Sequence, residues 1–426
     1  MNVYEAVQER LACIFREFDN IFVSFSGGKD SGVLLNLCID YIRKNHLKRK
    51  IGVFHIDYEA QYRLTTEYVD RTLSENLDII IPYRICLPIR ARCATSMFQS
   101  YWIPWEKAQR DIWVRDLPAD AIHEDNHSFD FFVPGMTDSE FQEKFCFWHH
   151  QKMKAKRTCA LVGIRTQESL NRWRAIHSNR NYRLFRGLPW TRELGEGVYN
   201  AYPVFDWTGE DIWVANGKFY WSYNQLYDRF YQAGLPVERM RVASPFNDWA
   251  TESLKLYRVI DPNNWGRMVG RVNGVNFTGI YGGTTAMGWR NLKLPKGHTW
   301  KSYLYFLLST LPATTRESYL AKLRTSVKFW RDKGGVLSDT TIQALKDAGV
   351  EVNVGEMTNY KTDKKPVRME YIDDIEVDDF QYIPTYKRMC ICIMKNDHMC
   401  RYMGFALTKN ERERRKRVME KYMEML

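Results

Sequence analysis

The chain has 426 residues, 45% hydrophobic and 14% aromatic, enough to bury a substantial core and to exclude a disordered protein. Its formal net charge of +11 is concentrated: between Lys152 and Arg192 eleven cations stand against one acid, Glu168. Nine cysteines, an odd number at scattered spacings, fit reduced thiols and exclude a disulfide framework. Met1–Glu5 lacks the basic and apolar regions of a secretion signal, and no stretch reaches the length of a membrane span, so a cytoplasmic location without membrane contact is expected.

Val3, Ala6, Val7, Leu11, Ile14, Phe15 and Phe18 form a helical stripe leading into Ile21–Phe25, an apolar run suited to a buried parallel strand. Ser26-Gly27-Gly28-Lys29-Asp30-Ser31 follows, and apolar residues at helical spacing then run to Ile42. A strand, a glycine-rich turn and a helix start make an anion site. Glycines let the backbone approach, the helix dipole favours negative charge, Lys29 adds a cation, and Ser26 and Ser31 add hydroxyl donors. The Walker spacing, with four residues between the first glycine and Gly-Lys, is absent. Ile51–Asp57 predicts a second strand, Thr65–Leu77 a helix and Ile79–Ile85 a third strand. Residues 97–150 lose this rhythm and, with Trp102, Trp105, Trp113 and Trp148, read as an aromatic insertion packed over the sheet edge. Cys159–Ile164 restores the rhythm as a buried strand. The pattern predicts an α/β fold, an open, mostly parallel sheet with helices on both faces, forming a nucleotide-binding domain over residues 1–215.

Residues 216–426 are expected to form a mainly helical C-terminal region. Thr208 is placed to cap a helix from Gly209, Pro312–Trp330 and Thr340–Ala348 read as helices, and Lys409–Leu426 reads as a terminal helix with a basic face. Gly266–Gly288 reads as loop, and Asp373–Asp379 as a solvated acidic segment. In the basic stretch 152–192, Trp173, Tyr182, Phe185 and Trp190 interleave with the cations. That suits nucleotide phosphates or nucleic acid; the alternative is a solvated surface balanced by acids from other segments. Cys390, Cys392, His398 and Cys400 are spaced more closely than a usual metal knuckle, so packing in a buried element is expected, with metal binding as the alternative. His149 and His150 read as structural or phosphate-facing.

Residues 26–31 are similar to the PP-loop signature of ATP pyrophosphatases, which cleave ATP between its α and β phosphates and pass AMP to an acceptor. Three further blocks extend the likeness. They are Phe54-His55-Ile56-Asp57-Tyr58-Glu59; Gly163-Ile164-Arg165-Thr166-Gln167-Glu168-Ser169 with Arg172; and Tyr202–Thr208 with Asp211-Ile212-Trp213. Together they make the first half of the chain resemble the phosphoadenosine phosphosulfate (PAPS) reductase superfamily, of adenine nucleotide alpha hydrolase-like fold. The resemblance implies ATP and Mg²⁺ as cofactors. It implies ATP binding by Ser26, Gly27, Gly28, Lys29, Asp30, Ser31, Asp57, Gly163 and Arg165, and catalysis by Lys29, Asp30, Arg165 and Arg172. Asp30 would lie beside the Mg²⁺ carried by ATP, or would only cap its helix. The second half resembles the IbrA-type prophage co-activators, through Gly270–Phe277 and Leu407–Tyr422. That implies a small ParB/sulfiredoxin-like partner (IbrB-type) and contact with nucleic acid.

The implied function is ATP-dependent adenylyl transfer with release of pyrophosphate. Sulfonucleotide reductases carry a catalytic cysteine in a C-terminal Glu-Cys-Gly-x-His motif, and this chain has none. A thiol-dependent reductase and a non-catalytic nucleotide-sensing co-activator that binds DNA or protein are the two alternatives. Asn273–Thr284 is expected to be a mobile cover over the nucleotide or a docking edge for the partner.

Overall fold

The first helix, α1 (Val3–Glu17), starts at Asn2, whose side chain accepts the Glu5 N–H in a reciprocal capping box. The computed structural model describes residues 2–405 except 170–171, 174–175, 177–182, 196, 243, 248–249, 251–253, 282–291, 357–363 and 378–379. The expected terminal helix at 409–426, the match at 407–422, Arg174, Arg180, Tyr182, Asp378, Asp379 and 282–284 of the expected cover lie outside the described residues.

After α1 the chain runs β1 (Asn20–Ser24), α2 (Lys29–Lys44), β2 (Ile51–Ile56), α3 (Arg63–Ser74), β3 (Ile80–Cys86), β4 (Ala121–His123), α4 (Asp138–Lys152), β5 (Thr158–Val162), β6 (Thr191–Gly195) and β7 (Val198–Ala201). Helices α5 (Gly209–Lys218), α6 (Leu226–Gln232) and α7 (Pro262–Arg271) follow. The seven strands form one sheet in the order β4-β3-β2-β1-β5-β7-β6, parallel except for the antiparallel β6–β7 pair.

Alternation along β1 explains the two covered faces. Ile21 and Val23 join Ile51 and Val53 of β2 in one cluster with Val7 and Leu11 of α1, Leu34 and Cys38 of α2, and Val69 of α3. Phe22, Phe54 and Tyr83 point the other way and meet Phe145 and His149 of α4 in edge-on and tilted ring contacts. The 97–150 segment therefore does more than cover an edge: it supplies the edge strand β4 and the helix that closes the second face. A Cβ on Gly52 would stand 2.8 Å from Phe22 and 3.1 Å from His149 Nε2, so that strand position has no room for a side chain.

Strand order turns at β1. The chain lays β2, β3 and β4 to one side and β5, β7 and β6 to the other, which makes the crevice between the carboxyl ends of β1 and β5 the topological switch point. The segments leaving those two strands are residues 25–31 and 163–165.

The chain divides into two compact units, Met1–Ala91 with Trp102–Arg271, and Arg92–Tyr101 with Val272–Leu426. The second contains α8 (Trp300–Thr310), α9 (Ala313–Asp332), β8 (Gly335–Leu337), α10 (Asp339–Asp347), β9 (Asn353–Val354), β10 (Lys365–Arg368) and α11 (Tyr386–Met394). Its three strands form an antiparallel sheet, β8-β10-β9. Leu304, Leu308, Tyr319, Leu323, Leu345, Met389 and Cys392 belong to its core. One expectation is corrected. The stretch read as loop from Gly266 is helical over Pro262–Arg271 and Val275–Tyr281, because hydrophobic positions such as Met268 and Val275 are buried despite the glycines. The buried element expected at Cys390–Met394 is a helix.

Candidate functional site

The turn after β1 is held by its own side chains. The Ser31 hydroxyl accepts the Ser26 N–H at 3.1 Å, lies 2.9 Å from the Ser26 hydroxyl and donates to Gly28 O at 3.1 Å. Gly27 has φ +75°, in the left-handed region, and a Cβ there would stand 3.0 Å from Val69 and 3.1 Å from Thr65. Gly28 starts α2 with no side-chain cap, in contrast to Asn2 at α1, Thr137 at α4 and Thr208 at α5. The partial positive charge of α2 thus opens at the turn with Lys29 beside it.

Lys29 is 8% exposed, and its ammonium lies 3.0 Å from Asp30 Oδ2. The other Asp30 oxygen accepts from Nε of Arg165, itself 4% exposed. Arg165 continues to Glu168 at 3.8 Å, and Glu168 pairs with Arg172. Four residues singled out from sequence, Lys29, Asp30, Arg165 and Arg172, are thereby linked through one chain of ion pairs. Gly163 allows the approach: a Cβ there would lie 3.0 Å from the backbone of Asp30 and Ser31. Gln167 accepts the N–H of Gly209, tying this turn to the start of α5.

Both oxygens of Asp30 are engaged by cations, and among the described residues no group of three His, Cys, Asp or Glu side chains could hold a metal ion. A Mg²⁺ at this loop would rely on phosphate oxygens for most of its ligands, as Mg²⁺ commonly does with nucleotides.

Asp57, expected at the nucleotide, is 1% exposed with both carboxylate oxygens engaged. Oδ2 accepts from Arg84 Nε at 3.2 Å, while Oδ1 accepts from Arg115 and from the Glu59 N–H at 3.0 Å. Burial works against its charge, but the Arg115 and Arg84 guanidiniums outweigh it and hold the carboxyl at about 2. Beside it Glu59, fully buried at φ +62°, takes Arg271 of α7 in a two-pronged pair at 2.9 and 3.1 Å and the N–H groups of Trp105 and Val114. Sequence reasoning missed the Glu59–Arg271 pair, whose members are 212 residues apart.

It also missed the segment before α6. The fully buried Asn224 donates to Gly27 O at 2.9 Å and to Thr65 Oγ1 at 3.0 Å, and the Tyr227 hydroxyl accepts the Lys29 N–H at 3.0 Å. A cavity of about 430 Å³ opens between α3 and α6, lined by residues including Arg63, Arg229, Gln232 and Asp261; none of residues 26–31 lines it.

The basic stretch is partly balanced internally. Glu17 pairs with Arg186 at 2.9 Å and Arg157 at 3.5 Å, and Asp19 accepts the N–H groups of Lys156 and Arg157. His149 is buried against Asn20 and Phe22, with burial depressing its pKa to about 4; the His150 ring contacts Thr158 at 2.8 Å. Both histidines are structural. All cysteines but Cys13 are buried, and burial pushes the thiols of Cys38, Cys86, Cys146, Cys159, Cys390 and Cys392 up. Cys390 and Cys392 pack in the core under α8 and α9, and His398 Nε2 meets Ser96 O at 2.9 Å. No helix among the described residues is long and apolar enough to cross a membrane.

Comparison with known proteins bears on both halves. The phosphoadenosine phosphosulfate reductase domain profile matches residues 20–92, and a domain of unknown function, DUF3440, matches residues 234–414. The uncharacterized protein YbdN of Escherichia coli strain K12 is 34% identical over 420 residues, covering 97% of this chain and 93% of that one. Among solved structures, the chain is similar to Candida glabrata FMN adenylyltransferase with FAD and inorganic pyrophosphate, at 14% identity and a TM-score of 0.32. That match covers 53% of this chain and 59% of the other, so the chain spans less than two thirds of the transferase. It is also similar to the phosphoadenylyl-sulfate reductase of Candida auris in a phosphate complex, at 14% identity and a TM-score of 0.30, covering 52% of this chain and 84% of that one.

Proposed function

The chain belongs to the family of Escherichia coli YbdN, with a phosphoadenosine phosphosulfate reductase domain in its N-terminal part, and on that premise we propose that it is an ATP-dependent adenylyl transferase that releases pyrophosphate. The observation that carries this reading is the open start of α2, with buried Lys29 beside it and Arg165 brought to the same turn from the neighbouring strand at the switch point. An acceptor oxyanion attacks the α-phosphorus of ATP, the bond from that phosphorus to the bridging oxygen breaks, and pyrophosphate leaves with the bond's electron pair. Lys29 and the Ser26–Ser31 turn hold the leaving group. Arg165 and Arg172 balance charge on the acceptor and the α-phosphate, so catalysis comes from positioning and electrostatics. Mg²⁺ carried by ATP would supply further charge neutralisation of the phosphates, and Asp30 would be the carboxylate of this turn available to it. Asp57 shapes the end of β2 through Arg84 and Arg115.

The buried cysteines favour this reading over a thiol-dependent reductase, whose nucleophile needs an accessible, electropositive surrounding. The test is a pyrophosphate-release assay with ATP·Mg²⁺ and candidate oxyanion acceptors, run alone and with a ParB/sulfiredoxin-like partner, alongside direct ATP titration. Lys29→Ala with Asp30→Ala abolishes both binding and release. ATP binding that survives in the double variant refutes the site.

A further inference from the structure

Tyr227 stands 198 residues from the phosphate loop in sequence, yet its hydroxyl accepts the backbone N–H of Lys29, the first residue of α2. The residue is 3% exposed. Among the described residues its hydroxyl proton has no acceptor, so this buried phenol has one hydrogen bond made and one donor left over.

Its position is fixed on every side. The ring meets Trp213 edge-on at 5.3 Å and Phe230 at 6.3 Å, and the Lys29 ammonium lies 5.6 Å from the ring centroid. Three residues earlier, the Asn224 side chain holds Gly27 O and Thr65 while its own oxygen accepts the Leu226 N–H, tying the start of α6 to the turn. A Cβ at Gly28 would come within 3.3 Å of the Tyr227 oxygen, so the glycine admits the hydroxyl to the helix start. Burial, reinforced by the charge of Asp30, raises the phenol pKa and keeps its proton in place, so the group acts as a donor.

We propose that Tyr227 is a binding residue of the nucleotide site, accepting the Lys29 N–H and donating its own proton to an oxygen of the pyrophosphate portion of ATP. The phenol extends the donor set at the α2 N-terminus by one position and polarises along the same direction as the helix dipole. This inference rests on the reading of the loop as an ATP site.

The experiment titrates ATP·Mg²⁺ and inorganic pyrophosphate into the full chain, its Tyr227→Phe variant and a form with 3-fluorotyrosine at 227, a stronger proton donor of nearly the same size. Tyr227→Phe keeps the ring packing but leaves the Lys29 N–H without this acceptor, so the variant stays folded with its unfolding midpoint lowered by a few degrees. Its affinity for both ligands falls about tenfold, as for loss of one hydrogen bond to a charged group, while fluorotyrosine strengthens binding. Equal affinity in wild type and Tyr227→Phe overturns the proposal and leaves the ATP reading standing. Tighter binding by Tyr227→Phe also overturns it, because the hydroxyl would then be a plug that the phosphate must displace. A wild-type chain that binds neither ligand refutes both readings.

Discussion

Replacing Asp57 by Asn tests whether the end of β2 is held by charge. The substitution keeps the shape and removes the negative charge from a side chain with no exposure. Among the described residues, Arg115 then faces the Glu59 carbonyl and one neutral amide oxygen in place of the carboxylate, and Arg84 retains Asp70 and Asp120, which are half-exposed. The carboxyl sits at about 2 against an ordinary 3.8, which by linkage corresponds to about 2.5 kcal/mol of folding stability at neutral pH. Leaving part of a buried ion pair unmatched costs about 3–5 kcal/mol in comparable cases. The surviving acids on Arg84 put the expected loss near the lower figure, about 3 kcal/mol. The sign with pH follows from the depressed value. The contribution is complete above the unfolded pKa near 4, loses about 1 kcal/mol by pH 3 and disappears as pH falls through 2. Urea denaturation of wild type and Asp57→Asn at pH 7, 5 and 3 measures it, with the gap between the two proteins narrowing only at the lowest pH. A gap under about 1 kcal/mol at pH 7, or one that stays flat down to pH 3, refutes the reasoning.

Gly163→Ala forces a methyl to within 3.0 Å of the Asp30 and Ser31 backbone. It is expected to cost about 1–3 kcal/mol of stability and to lower ATP affinity about tenfold by shifting the turn, read by denaturation and titration. A thiol reagent applied to the native chain modifies at most one cysteine, Cys13, and all nine after denaturation. Rapid labelling of a second thiol in the native protein would reopen the reductase reading.

The local parts of the site were legible in the sequence because their chemistry lies between near neighbours. A strand, two glycines, Lys29 and a helix start within a dozen residues define the candidate anion site, and strand–helix alternation predicted a sheet with two covered faces. Thr208 announced a helix start for the same reason: a cap acts on an N–H three residues ahead. Glycine content misled at 266–281, since burial of Met268 and Val275 outweighs the cost of glycine in a helix.

What only the tertiary structure decided is which charge meets which. Asp57 was expected near a nucleotide, but the sequence carried no sign that Arg84 and Arg115 would occupy both its oxygens. Nor did it show that Glu59 would be closed by Arg271, or Lys29 touched by Tyr227. Those partners come together only when the chain folds back, across 27 and 58 residues for the two Asp57 pairs and across 198 and 212 for Lys29–Tyr227 and Glu59–Arg271. Ion pairs and hydrogen bonds act over a few ångströms in space and leave no periodic trace along the chain, so no spacing rule could have named them.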